Sequence, residues 1–400
     1  MYNVGMAKTR IFVFLSTLII VGLVGVFASY YARGYRLDFK TLKFQPNGIL
    51  VIKSDPDGAS VFINNELRTA TNATISLSPG TYDVEVKKDG FFTWYKRLVI
   101  EKEIVTQADI SLFKNVPSLS PETFSGAQNP IISNDGTKIV YSVLPGKDID
   151  PSKVGLWSID IFNFPLGFTN EPKRITDGDL TNATYSISPD GRQIMLSMSN
   201  SIFVLDSGSF TSQDQRVNNA SKKDSIIANW KKEKDTKDAS LIKNLPSEVM
   251  DLLSRRTSSF TFSPDENLIM FTASASATLD NDLIPQLPGS STQKQERNIQ
   301  IGHTYVYDIK EDRNFGISDQ KVDGSNGVAL RWMPAGHLLL LASPNQVAVM
   351  DYDGTNRQVV YSGSYVAPYA FPFSNTTKLL ILTNLGGATS TPNLYSLTVK

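Results

Sequence analysis

From about residue 115 of this 400-residue chain onward, one pattern recurs: a strand, a tight turn and a second apolar strand. The first copies are Ile131-Ile132-Ser133-Asn134-Asp135-Gly136 before Lys138-Ile139-Val140-Tyr141, and Tyr185-Ser186-Ile187-Ser188-Pro189-Asp190-Gly191 before Ile194-Met195-Leu196. Then Phe260-Thr261-Phe262-Ser263-Pro264-Asp265 precedes Leu268-Ile269-Met270-Phe271, and Leu330-Arg331-Trp332-Met333-Pro334-Ala335-Gly336 precedes Leu338-Leu339-Leu340. The last is Ala370-Phe371-Pro372-Phe373-Ser374-Asn375 before Leu379-Leu380-Ile381. Third strands follow, as at Leu156–Asp160, Ile202–Asp206, Thr304–Asp308, Val347–Asp351 and Leu394–Leu397; fourth strands follow some, as at Arg174–Thr176 and Gln358–Tyr361. Such a unit cannot bury its sheet faces alone, and an open row of units leaves unpaired edges. Four strands per unit in five copies therefore predict a β-propeller of five blades, or six if one is too degenerate to see. The pattern stops at a third strand, so Pro117 to Phe124 is expected to supply the outer strand of the last unit.

The turns are unevenly spaced, at 55, 75, 70 and 40 residues, and only the last is near a usual blade length. Insertions at 212–256 and 275–299 account for the long intervals. The first is polar and reads as helical, with Asn244 as a cap and Pro246 in the first turn of a helix to Arg255. Val249, Leu252 and Leu253 form one apolar stripe on that helix. They are the candidate partner-binding residues; the alternative is a helix that packs down on its own blade.

Ile11 to Tyr31 carries no charge and, as a helix, spans about 32 Å, enough to cross a bilayer. An uncleaved anchor over 11–32 is expected, with a short tail at 1–10 and a juxtamembrane linker at 33–46. A cleaved signal peptide is the alternative, although the run exceeds the usual signal core. Lys8 and Arg10 precede the run; Arg33, Arg36, Lys40 and Lys43 follow it, offset by Asp38. A positive-inside count alone places the large domain in the cytoplasm. The basic tail abutting the run and the lack of a second span favour the opposite, with residues 33–400 outside the cytoplasm.

Residues 47–114 show short alternating strands around turns at Asp55-Pro56-Asp57-Gly58, Asn64-Asn65 and Ser78-Pro79-Gly80, which predict a small antiparallel β-sandwich. This region resembles the PEGA domain family. Its name-giving turn reads Pro56-Asp57-Gly58-Ala59, flanked by Val51–Ser54 and Ala59–Ile63 and followed by Leu77-Ser78-Pro79-Gly80-Thr81-Tyr82-Asp83-Val84 and Asp89-Gly90-Phe91. Where the family has Gly-x-Thr-Pro, this chain has Arg68-Thr69-Ala70-Thr71. The resemblance implies an extracytoplasmic, non-enzymatic module of bacterial or archaeal surface proteins. The Ser-Pro-Asp-Gly turns of residues 115–400 resemble TolB-like and WD-type propellers, which implies the fold and leaves function open.

Composition removes several chemistries. Cysteine is absent, so thiolate catalysis and Cys-ligated metals are excluded. Two histidines, His303 and His337, cannot build a three-histidine site. Lys+Arg and Asp+Glu are both 39, a balance that argues against nucleic-acid binding. No Gly-x-Ser-x-Gly elbow or phosphate loop occurs. Asp351-Tyr352-Asp353-Gly354 and Asp55-Pro56-Asp57-Gly58 read as turns ahead of partial calcium loops. Trp94, Trp157 and Trp332 read as core, and the Lys-rich part of 212–256, neutralised by Asp and Glu, reads as a solvated face. No catalytic, cofactor or metal residue is assigned, and no cofactor is expected. The expectation is an all-β, membrane-anchored, non-enzymatic envelope protein whose propeller binds a protein or glycan, with the bilayer engaged through 11–32. The alternatives are an extracytoplasmic propeller hydrolase or lyase, and a cytoplasmic tethered interaction propeller.

Overall fold

The computed structural model describes residues 3–32, 35–38, 43–147, 149–161, 171–285, 292–373, 376–385, 387 and 390–400. The turn residues Ser374 and Asn375 of the fifth copy lie outside them. The chain divides into two compact units: residues 1–89 with 93–112 and 288–292, and residues 90–92 with 113–287 and 293–400.

The first unit begins with α1, Asn3–Ala32. Its segment Ile11–Ala32 has a mean hydropathy of 2.8 and buries nothing; Phe12 is 73% and Leu23 65% exposed. Two hydroxyls in that stretch, Ser16 and Thr17, both donate to the Val13 carbonyl at 2.9 and 2.8 Å. Donors bonded inside the helix in this way suit a hydrocarbon environment. The helix has the length and composition of a membrane anchor or a signal sequence. The predicted linker instead holds a two-stranded ladder, Tyr35–Asp38 against Lys43–Pro46.

The sandwich follows. One sheet orders Ala73–Leu77, Gly48–Asp55 and Val105–Ser111; the other orders Glu66–Ala70, Ser60–Ile63, Gly80–Lys87 and Trp94–Ile100. Strict alternation turns Leu50, Ile52, Val61, Ile63, Val84, Val86, Leu98, Ile100 and Ile110 inward, with Trp94 among them. One pair departs from the antiparallel expectation: Gly48–Asp55 runs parallel to Val105–Ser111. Parallel neighbours need a long crossover, and the whole second sheet serves as that crossover. The variant middle loop is held by side chains. Thr71 Oγ1 accepts from the Ala59 amide at 3.0 Å and bonds Ser54 Oγ at 2.6 Å, while Asn72 Oδ1 accepts from the Ser54 amide at 3.1 Å.

The second unit is a succession of antiparallel sheets in chain order: 128–177, 183–206, 257–318 and 329–362, then one ordered 118–121, 393–398, 378–383, 370–372. The outer strand of the last sheet is Ser118–Pro121, paired with Asn393–Thr398. The second sheet has three strands rather than four. Where a fourth would run, Asn218 Oδ1 accepts from the Ile202 amide at 3.2 Å and the Asn219 amide donates to the Ile202 carbonyl at 2.6 Å.

The repeated turn has a single mechanism. The serine hydroxyl donates to the aspartate two residues on, at 2.5 Å from Ser133 to Asp135, 2.5 Å from Ser188 to Asp190 and 2.6 Å from Ser263 to Asp265. The same hydroxyl accepts from the amides of Lys138, Gln193 and Leu268, which begin the returning strands. In the fourth copy buried Met333 replaces serine and the backbone bonds persist, Met333 to the Leu338 carbonyl at 2.9 Å. Its Gly336 has φ +80°, and a Cβ there would lie 2.8 Å from Asp265 Oδ1 of the preceding unit. Only glycine fits.

These turns make the unit acid-sensitive. The Ser188 hydroxyl, then the Arg192 amide, hold the Asp190 carboxyl below its ordinary 3.8. Burial pushes Asp135 and Asp265 up, but bonds from Ser133 and Thr137, and from Ser263 and Asn267, outweigh it and leave both low. A carboxyl lowered in the folded state stabilises it above the unfolded pKa and loses that contribution as pH falls through the folded value. Thermal melts are expected to be steady above about pH 5 as far as these groups act and to drop below about pH 4. Asp190→Asn is expected to flatten part of that acid slope; an unchanged slope would contradict the assignment.

Candidate functional site

The insertion 212–256 contains two helices, α2 at Lys223–Ile242 and α3 at Ser247–Arg255. The predicted Asn244 cap is displaced. Pro246, extended at φ −53° and ψ 147°, is the residue from which α3 starts. Its fixed φ orients the chain into the helix without a side-chain cap.

Val249, Leu252 and Leu253 are 1, 2 and 3% exposed. They pack with Leu245 against Ile269, Phe271, Tyr305 and Tyr307 of the adjoining sheet. As placed, the stripe is core and offers no open apolar surface. What it does is fasten the insertion to the sheet. The Leu253 and Leu252 carbonyls also bond at this junction, accepting from Thr257 Oγ1 at 2.8 Å and the Arg256 amide at 2.9 Å.

α2 behaves differently. It is 20 residues long and buries no side chain. Ile226 and Trp230, one turn apart, are half-buried, and Lys234 Nζ lies 5.5 Å from the Phe260 ring centre. Phe260 belongs to Thr257–Phe262, the first strand of its sheet, so this face of α2 lies over that strand. Ile227, Lys231, Lys232 and Lys237 are exposed along the helix, interspersed with Glu233 and Asp235. A helix polar on nearly all sides gains little from packing and depends on side-chain pairs such as Lys234–Asp238.

Leu283 and Arg297, in the described parts of the insertion 275–299, are held by a buried charge cluster. Asp312 is 0% exposed; its Oδ1 pairs with Arg297 Nη1 at 3.0 Å and accepts from the Tyr307 hydroxyl at 2.9 Å. Its Oδ2 accepts from the Leu283 amide at 2.8 Å, and the Asp312 carbonyl accepts from Arg297 Nη2. Burial, then the bond to Asp312, raises the Tyr307 phenol above its ordinary range.

The first strands of the sheets neighbour one another. The Tyr185 hydroxyl donates to the Gln128 and Asn129 carbonyls at 3.0 and 2.7 Å, and Trp332 Nε1 donates to the Thr261 carbonyl at 3.3 Å. Arg331, beside Trp332, points the other way. Its guanidinium lies 4.8 Å from the Phe371 ring centre, and Nη1 donates to the Pro368 carbonyl at 3.4 Å.

The remaining candidates have structural partners. Asp353 Oδ1 accepts from the Thr355 amide and hydroxyl at 3.2 and 2.6 Å, and Asp351 Oδ2 from Asn356 at 3.0 Å, so both carboxylates serve a turn. His337 Nδ1 lies 2.9 Å from the Ala335 carbonyl, and His303 stacks on Tyr305 at 6.3 Å. Trp157 donates to the Lys153 carbonyl at 2.8 Å. Arg331 and Asp312 escaped sequence reading. Arg331 sits in an otherwise apolar strand, a signal that was there to be used; Asp312 lies in Lys310-Glu311-Asp312-Arg313, indistinguishable from a solvated loop.

Against known proteins, residues 47–115 match the PEGA domain family. No curated protein matches the chain significantly. Among solved structures, a TolB from Agrobacterium tumefaciens is 15% identical, aligns 68% of this chain with 73% of its own and has a TM-score of 0.22. TolB from Acinetobacter baumannii is 14% identical over 79% of this chain and 59% of its own, at 0.20. The Cps50 (Swd1) β-propeller domain of Myceliophteria thermophila is 8% identical over 71% and 100%, at 0.33. The fold rests on the strand order above and not on these likenesses. It defines an all-β protein of the β-propeller class. More particularly, the chain carries an apolar N-terminal helix, then a PEGA domain, then the propeller.

Proposed function

We propose that this chain is a membrane-anchored, non-enzymatic binding protein of the bacterial cell envelope, with residues 33–400 outside the cytoplasm and α2 as the face a protein partner meets. The observation that carries the reading is α2 itself: a helix that buries no side chain adds little to stability, yet buried α3 holds it over a rigid sheet. Long insertions on rigid scaffolds are where binding surfaces concentrate. The fully exposed apolar α1 supports the anchor. Val249, Leu252 and Leu253 then act as the fastening of the surface.

Two experiments test this. The full-length chain is expected to resist carbonate extraction, and external protease on spheroplasts to digest residues 47–400; protection until lysis would overturn the exported orientation. A photo-crosslinking residue at Ile227 in intact cells is expected to give one discrete protein adduct. Lys231→Glu with Lys237→Glu is expected to abolish that adduct while moving stability by no more than about 0.5 kcal/mol, as exposed substitutions do. Adducts from other propeller positions but none from Ile227 would remove α2 from the interface.

A further inference from the structure

Arg331 carries a positive charge that nothing in the described structure neutralises. It is half-buried on a first strand, above the Phe371 ring and against the Pro368 carbonyl. Among the described residues no carboxylate pairs with it, and the phenols of Tyr365 and Tyr369, uncharged at neutral pH, are the titratable groups near it. Tyr365 spends its hydroxyl on the Ser343 carbonyl at 2.8 Å. Tyr369, half-buried and stacked on Phe371 at 6.4 Å, makes no hydrogen bond through its hydroxyl among the described residues. Burial drives the Arg331 guanidinium down to about 10, which still leaves it charged at neutral pH.

A half-buried guanidinium without a counter-ion is only partly hydrated, and a fork of N–H donors near a phenol matches a planar carboxylate. The ring stack and the Pro368 bond fix one side of the group, leaving Nε and Nη2 without a hydrogen bond to any described residue. We propose that Arg331 and the Tyr369 hydroxyl form a carboxylate-binding site at the first strands of the propeller, independent of any role for α2. The carboxylate comes either from a small free acid or from an acidic side chain or chain end of a bound peptide.

The test uses the detergent-solubilised full chain at constant ionic strength. Glutarate and its neutral analogue glutaramide are titrated by calorimetry, followed by hexaglutamate and hexaglutamine peptides. Saturable binding of an acid probe, with none of its amide counterpart, is expected. Glutarate binding identifies a free acid, and hexaglutamate binding alone identifies a peptide. Arg331→Met is expected to weaken binding about tenfold or more, the loss of one charge-assisted contact. Without probe its melting temperature is expected to hold or rise, since an unpaired, half-buried charge has gone; a structural staple would instead make it fall. Tyr369→Phe, which keeps the ring stack, is expected to weaken binding severalfold with no melting shift and covers the case of an unfolded Arg331 variant. Equal response to acid and amide probes, or unchanged acid binding in both variants, would overturn the site.

Discussion

Replacing Leu252 and Leu253 with serine is expected to destabilise the propeller unit strongly, by about 4 kcal/mol or more. Each leucine is all but fully buried against Ile269, Phe271, Tyr305 and Tyr307. Truncating one such side chain removes roughly 2–5 kcal/mol, and a serine hydroxyl left in that cluster adds an unsatisfied polar group. The two sites touch the same neighbours, so the effects will not add simply. Denaturant unfolding of the full chain in detergent checks the size. A melting temperature that barely moves would mean that the stripe faces outward and that its burial is misplaced.

Asp312→Ala is expected to remove about 3–5 kcal/mol, the range for stranding one member of a buried ion pair. The substitution leaves Arg297 without its counter-ion and the Tyr307 hydroxyl and Leu283 amide without an acceptor. Asp312→Asn keeps one acceptor oxygen, enough for the Tyr307 hydroxyl or the Leu283 amide but not for both in place, and is expected to lose less than Asp312→Ala. Adding Arg297→Leu to Asp312→Ala is expected to recover part of the loss, because the orphaned charge goes too. If the double variant is as unstable as the sum of the singles, the pair does not act as a unit.

What was legible in the sequence follows from what is local. The serine–aspartate turn is written within six residues, so its copies could be counted and the sheets placed. The parallel pairing of Gly48–Asp55 with Val105–Ser111 joins segments some fifty residues apart, and no local pattern encodes it. The three-stranded second sheet was hidden because side chains, Asn218 foremost, take over bonds that a strand would make. On α3 the period showed which face is apolar but not what covers it, so core and docking surface read alike until Ile269 and Phe271 appeared beneath. Arg331 and Asp312 are single letters whose meaning lies in partners far along the chain, at Phe371 and Arg297.

The pairing of Ser118–Pro121 with Asn393–Thr398 sets an order of events during synthesis. The strand that completes the last sheet is made first and its partner nearly last, about 270 residues later. Local hairpins form as they emerge, but the two ends of the array cannot meet until the final strand is out. Through that interval, Asn393–Thr398 being absent, Lys378–Thr383 and Ser118–Pro121 each present an unpaired edge, the form in which nascent sheets stick to one another. If the chain is threaded across a membrane behind its apolar N-terminal helix, that vulnerable interval falls on the far side, where holding factors are needed until Asn393–Thr398 arrives.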